Sequence, residues 1–105
     1  MTEAFQKEIV QHIIRKLLDI HILILIKAQP MWGYKIKKTI EARSGFKLRH
    51  GVLYPHLNIL EKGGFITSMK QQDKGRIRKV YKVTRRGMQY LEAYKNVIRE
   101  QIMEG

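Results

Sequence analysis

Two short clusters, Gly63-Gly64 and Asp73-Lys74-Gly75, constrain this chain more than any other feature. Gly63-Gly64 stops a leucine stripe with helical spacing, and Asp73-Lys74-Gly75 is turn chemistry. Between and after them lie two segments, Phe65–Lys70 and the run through Ile77, Tyr81 and Val83, that read as a short, twisted strand pair. Upstream of Gly63 the apolar spacing is helical, and after Thr84 it is helical again. The chain is therefore expected to be mainly α with a small β-hairpin.

The helical segments can be placed from their periodicity. Phe5, Ile9, Ile13, Leu17 and Ile20 recur at threes and fours, giving an amphipathic helix over residues 3–18. Leu17–Ile26 is apolar almost all round and reads as a buried helix ending near Ala28, ahead of Pro30. One long helix bent near Asp19 and two separate helices are both compatible with this pattern. Gly33 opens the next helix, with Tyr34, Ile36, Lys37 and Ile40 giving its apolar and basic faces, and Ser44-Gly45 stops it. A further helix from about His50 to Lys62 carries Leu53, Leu57 and Leu60 on one side. Thr84 is a fitting N-cap for a last helix over about Arg85–Met103, striped by Met88, Leu91, Tyr94, Ile98 and Ile102.

Charge falls on one part of this plan. Residues 33–86 hold 15 Lys/Arg against 3 Asp/Glu, residues 1–32 hold 4 against 3, and residues 87–105 hold 2 against 3. The flanks cancel, so the whole net charge of +12 lies on the two central helices and the hairpin. Concentration on one structural unit marks a surface for a polyanion. Other chemistries find little support. There is no cysteine, and none of His12, His21, His50 and His56 is paired at the helical i, i+4 spacing of metal ligands. No Ser/His/Asp arrangement or Gly-rich phosphate loop is present, so neither catalysis nor a cofactor is expected. The apolar run Ile20–Ile26 is shorter than the roughly 20 residues a bilayer needs, and no signal peptide is recognisable. A cytoplasmic protein without membrane contact is expected.

Helices followed by a basic hairpin and a closing helix make a winged helix-turn-helix, whose last core helix enters the major groove while the hairpin wing follows the backbone or minor groove. Specific motifs sharpen this. Pro30 and Gly33-Tyr34-Lys35-Ile36 are followed by Gly51-Val52-Leu53-Tyr54-Pro55-His56-Leu57, Leu60-Glu61 and Gly64-Phe65-Ile66. Tyr81-Lys82-Val83-Thr84 and Gly87 complete the series. Over about residues 18–91 the chain resembles the PadR family of transcriptional regulators, departing from the usual pattern at Trp32 and His50. The resemblance implies a dimeric winged-helix DNA-binding regulator whose C-terminal helix makes the dimer, similar to the short members of the family. The expected organisation is a single domain over 1–105. It comprises an N-terminal helix (3–17), a winged-helix core (18–84) and a C-terminal dimerisation helix (85–105).

Within that frame the candidate DNA-binding residues are Lys35, Lys38, Arg49, His50, Tyr54, His56, Asn58, Lys74, Arg76, Arg78 and Lys79. Lys35 and Lys38 lie three apart and can reach one backbone. Arg49 and His50 stand where free helix N–H groups favour anions. Tyr54 sits about 100° around the helix from Leu53, and packing is its alternative role. His56 and Asn58 lie off the leucine stripe, where side chains can reach base edges. Lys74, Arg76, Arg78 and Lys79 form the wing cluster. Leu91, Tyr94, Ile98 and Ile102 are the candidate dimer interface, with help from residues 3–18. A small-molecule cavity between Tyr94 and Trp32 is the alternative use of those aromatics. The expected partners are double-stranded DNA and a second copy, and the expected function is sequence-specific regulation of transcription. The rival reading is a basic protein that binds RNA or the nucleoid without sequence preference.

Overall fold

The computed structural model describes residues 2–104. Helix α1 (Thr2–Lys16) and helix α2 (Leu18–Ala28) are separate, broken at Leu17, so the two-helix alternative holds. Helix α3 (Gly33–Ser44), helix α4 (His50–Lys62), strand β2 (Ile66–Asp73), strand β3 (Arg76–Val83) and helix α5 (Arg85–Ile98) follow, and a π-helical turn over Arg99–Met103 ends the described chain.

The core forms where the apolar faces converge on α2. Its Ile22, Leu23, Leu25 and Ile26 are buried together with Ile36 and Ile40 of α3, Leu53, Leu57 and Leu60 of α4, Ile66 and Tyr81 of the sheet, and Leu91 of α5. A helix apolar all round can exist in a small domain only at such a centre.

The hairpin is longer than its sequence suggests. Eight residues pair with eight, from Ile66 opposite Val83 to Asp73 opposite Arg76. Lys74 and Gly75 both have positive φ, at 50° and 78°, the backbone that lets a two-residue turn match strand twist. A third strand, β1 (Met31–Trp32), pairs antiparallel with β3, giving the order β1-β3-β2. It was not expected, because two residues ahead of a helix carry no alternation; they become a strand only when β3 is beside them.

The junction of wing and α5 is locked by small contacts. The Thr84 hydroxyl accepts from the Gly87 N–H and donates to the Gly64 carbonyl, while Arg86 Nε donates to the Gly63 carbonyl. A Cβ on Gly87 would lie 2.0 Å from the Phe65 carbonyl oxygen, so no larger residue fits there unless the backbone moves.

Candidate nucleic-acid interface

Helix α4 turns Leu53, Leu57 and Leu60 into the core and leaves the row Gly51, Pro55, Asn58 and Lys62 on its outer side. Asn58 is thus central on the exposed face, whereas His56 is half-buried at its flank. The helix starts on Arg49 with no side-chain cap and no acidic residue in its first turn, so its first N–H groups are open to an anion. Pro55 lies inside the helix and has no proton to give the Gly51 carbonyl.

The wing stands beside the start of α3, and a groove of about 680 Å³ runs between them. Its lining brings together Tyr54, Arg76, Arg78 and Lys79 from the candidate set, and adds Trp32, Tyr34 and Ile77, which sequence reasoning had not placed there. Tyr54 is half-buried, packing on one side and facing the groove on the other. Its ring stacks on His50 at 5.4 Å, its hydroxyl lies against Gly33, where a Cβ would come within 2.6 Å, and its edge stays on the groove. Across the sheet, burial is the chief cause pushing the Tyr81 phenol up from its ordinary value, with the Glu61 carboxylate adding to it.

The cations are not equivalent. Lys74, Arg76 and Lys79 are exposed. Arg78 is half-buried, with its guanidinium 3.8 Å from the centre of the Trp32 ring. Lys35 is exposed, but Lys38 lies 3.7 Å from Glu41, which also approaches Lys37 at 3.7 Å. The Glu41 carboxyl is held below its ordinary range mainly by the Leu48 N–H, which donates to it at 2.7 Å, and further by Lys37 and Lys38. Glu41 and Lys37 are half-buried, whereas Lys38 is exposed. Arg49 lies away from the groove, in a separate depression with Arg15, Phe46 and Val52.

One of the candidate dimer residues, Leu91, requires a correction. Leu91 is 1% exposed and belongs to the core of its own protomer, so its side chain offers nothing to a second copy. Tyr94 packs against that core and against Tyr90. Ile98 is half-buried and Ile102 is exposed. Further free apolar surface lies on α1, where Phe5, Ile9, Val10 and Ile13 are all exposed, at Met88 near the start of α5, and at Val97 near its end, next to Ile102. Trp32 and Tyr94 do not line one depression. Trp32 lines the wing groove, and Tyr94 lines a different depression with Tyr90, Ala93 and Val97.

Among the described residues no group of three or more His, Asp or Glu could hold a metal ion, and no helix is long and apolar enough to cross a membrane. No curated protein shows a significant match to the chain. Solved structures do. A PadR family transcription regulator from Clostridium difficile R20291 is 32% identical over 82% of this chain and 93% of its own, with a TM-score of 0.72. A PadR-like transcriptional regulator from Bacillus cereus has a TM-score of 0.76 over 89% of this chain and 91% of its own, at 22% identity. Bacillus subtilis PadR, solved in complex with operator DNA, is 30% identical over 74% of this chain and 46% of its own, with a TM-score of 0.67. The PadR-like family of transcriptional regulators itself matches residues 22–93, from inside α2 to the middle of α5. A helical core, a basic wing and that match together assign the chain: it is a member of the PadR-like family of transcriptional regulators.

Proposed function

We propose that this chain acts as a homodimer that binds a pseudo-palindromic DNA site and regulates transcription from it. The observation that carries the reading is the confinement of all +12 net charge to the stretch forming α3, α4 and the wing, the unit that winged-helix proteins lay on DNA. The complex of Bacillus subtilis PadR with operator DNA supports the same use of the fold. In this reading Lys35, Lys38, Arg76, Lys79 and the start of α4 hold phosphates, and the outer row of α4, with Asn58 at its centre, reads base edges. Two copies meet through α1 and the distal part of α5, where apolar side chains are left uncovered. The test is selection of bound duplexes from a random pool, followed by competition with unrelated duplex. A single enriched palindrome, preferred by roughly 10³-fold or more, is the expected result. Equal affinity for every duplex would instead make the protein a non-specific nucleic-acid binder.

A further inference from the structure

Arg78 differs from every other cation of the wing, and the sheet register explains why. Trp32 pairs with Val80, and Arg78 lies two residues from Val80 on the same strand, so all three side chains leave one face of the sheet. The pleat therefore delivers the guanidinium to the indole, 3.8 Å from the ring centre. Lys74, Arg76 and Lys79 stand free in solvent, whereas Arg78 is half-buried. A guanidinium is planar and carries its donors in its own plane, so a ring over its face leaves them available. Among the described residues Arg78 makes no hydrogen bond or ion pair that would occupy them. The Trp32 Nε1 is buried without a partner, so the contact with Arg78 is made by the ring. Trp32 also immediately precedes Gly33, the first residue of α3, so the stack ties the wing to the start of the helix-turn-helix.

We propose that Trp32 is a positioning residue of the DNA-binding surface: it holds the Arg78 guanidinium over its indole and so aims Arg78, and the wing that carries it, at a backbone phosphate. The proposal rests on the DNA-binding reading above. Its physical basis is preorganisation. A long side chain on a two-stranded ribbon must lose its rotamer freedom to bind, and the stack removes that freedom beforehand.

The test is a cycle of Trp32→Ala, Arg78→Ala and the double variant, with Trp32→Phe as the conservative replacement. Each is titrated with the selected duplex and with an unrelated duplex, by anisotropy of labelled DNA over a range of salt. Thermal melts establish that each variant is folded. If Trp32 acts through Arg78, each single substitution should weaken both duplexes by about tenfold to a hundredfold near 0.1 M salt and flatten the salt slope by about 2, one phosphate lost per half-site. The double variant should be no worse than either single, and Trp32→Phe should recover part of the loss. A further arm needs no DNA. Trp32 is the single tryptophan, so Arg78→Ala should change the intrinsic emission of the free protein. Unchanged emission overturns the stack. Losses that multiply in the double variant, or an unchanged salt slope in folded Trp32→Ala, overturn the positioning role alone. Failure of the native protein to bind any duplex overturns the DNA-binding reading and the proposal with it.

Discussion

Asn58 and Arg76 separate two kinds of contact at the level of single side chains. Asn58 stands in the middle of the exposed row of α4, and Arg76 begins β3 in solvent. Asn58→Ala should therefore cost operator binding about 1–3 kcal/mol and leave unrelated duplex nearly untouched, as loss of a base contact does. Arg76→Ala should weaken both duplexes by similar factors. Anisotropy titrations of the two duplexes at one salt concentration check both outcomes, and equal losses from Asn58→Ala would remove it from base readout. His56 is the weaker candidate, because burial at the flank of α4 restricts its reach. Gly87 supplies a stability test at the same scale. Gly87→Ala puts a methyl 2.0 Å from the Phe65 carbonyl, a contact that only backbone displacement relieves. A loss of about 2 kcal/mol or more is expected, a fall in Tm on the order of 10 °C for a domain of this size.

Among the elements, α1 leaves more of its apolar stripe uncovered than α5 does. Both carry apolar stripes, and the stripe of α5 is the more regular. Yet α5 spends Leu91 and part of Tyr94 on α2 and the sheet, while α1 buries only Ile14 and presents Phe5, Ile9 and Ile13 to solvent. Paired replacement Phe5→Glu and Ile9→Glu should give a folded monomer, seen as a halved mass by light scattering with an unchanged thermal midpoint of the core. Leu91→Ala should do the reverse, costing about 3 kcal/mol of stability while leaving the mass of the dimer. A folded monomer from Leu91→Ala would restore that residue to the interface. The wing shows the same dependence on partners. Its turn was legible in Asp73-Lys74-Gly75, but its full length and the third strand were not, because alternation is interrupted by the cations that line it.

For the whole molecule, shape and charge point the same way. The radius of gyration is 14.9 Å, against about 13 Å for a compact domain of this length. The excess fits α1, which buries only Ile14 and leaves Phe5, Ile9 and Ile13 uncovered. With about four phosphate contacts from each of two copies, log affinity should fall with log salt at a slope of roughly −7. A slope shallower than about −2 would exclude phosphate-dominated binding. Stability should also depend on pH through His21. Burial is the main cause holding its pKa below the ordinary value, Arg43 adds to it, and the Leu17 carbonyl opposes. The unfolded chain therefore binds this proton first as pH falls. Stability should be full above about pH 6.5, decline as pH drops through that value, and level off once the folded imidazole is also protonated. Chemical denaturation of the native protein and of His21→Gln at pH 7.5 and 5.5 checks this, the variant showing the smaller difference.

Helix existence, the hairpin turn, the N-cap at Thr84 and the location of charge were all legible in the chain, because each is decided by neighbours within a few residues. Periodicity, turn chemistry and net charge are local quantities. The family, too, was readable from short motifs clustered around Gly33, Tyr54 and Gly64. What the chain alone left open were questions about residues far apart in sequence. Whether Leu91 faces the core or a partner depends on how much of α5 the helix α2 and the sheet can cover. How closely Tyr54 packs depends on Gly33, which leaves just enough room for its hydroxyl. Whether Arg78 is one more solvated cation depends on Trp32, 46 positions earlier (78 less 32). Only the pairing of β1 with β3 brings those two together. Burial and stacking are properties of the assembled surface, and no local pattern encodes which face of an element that surface will meet.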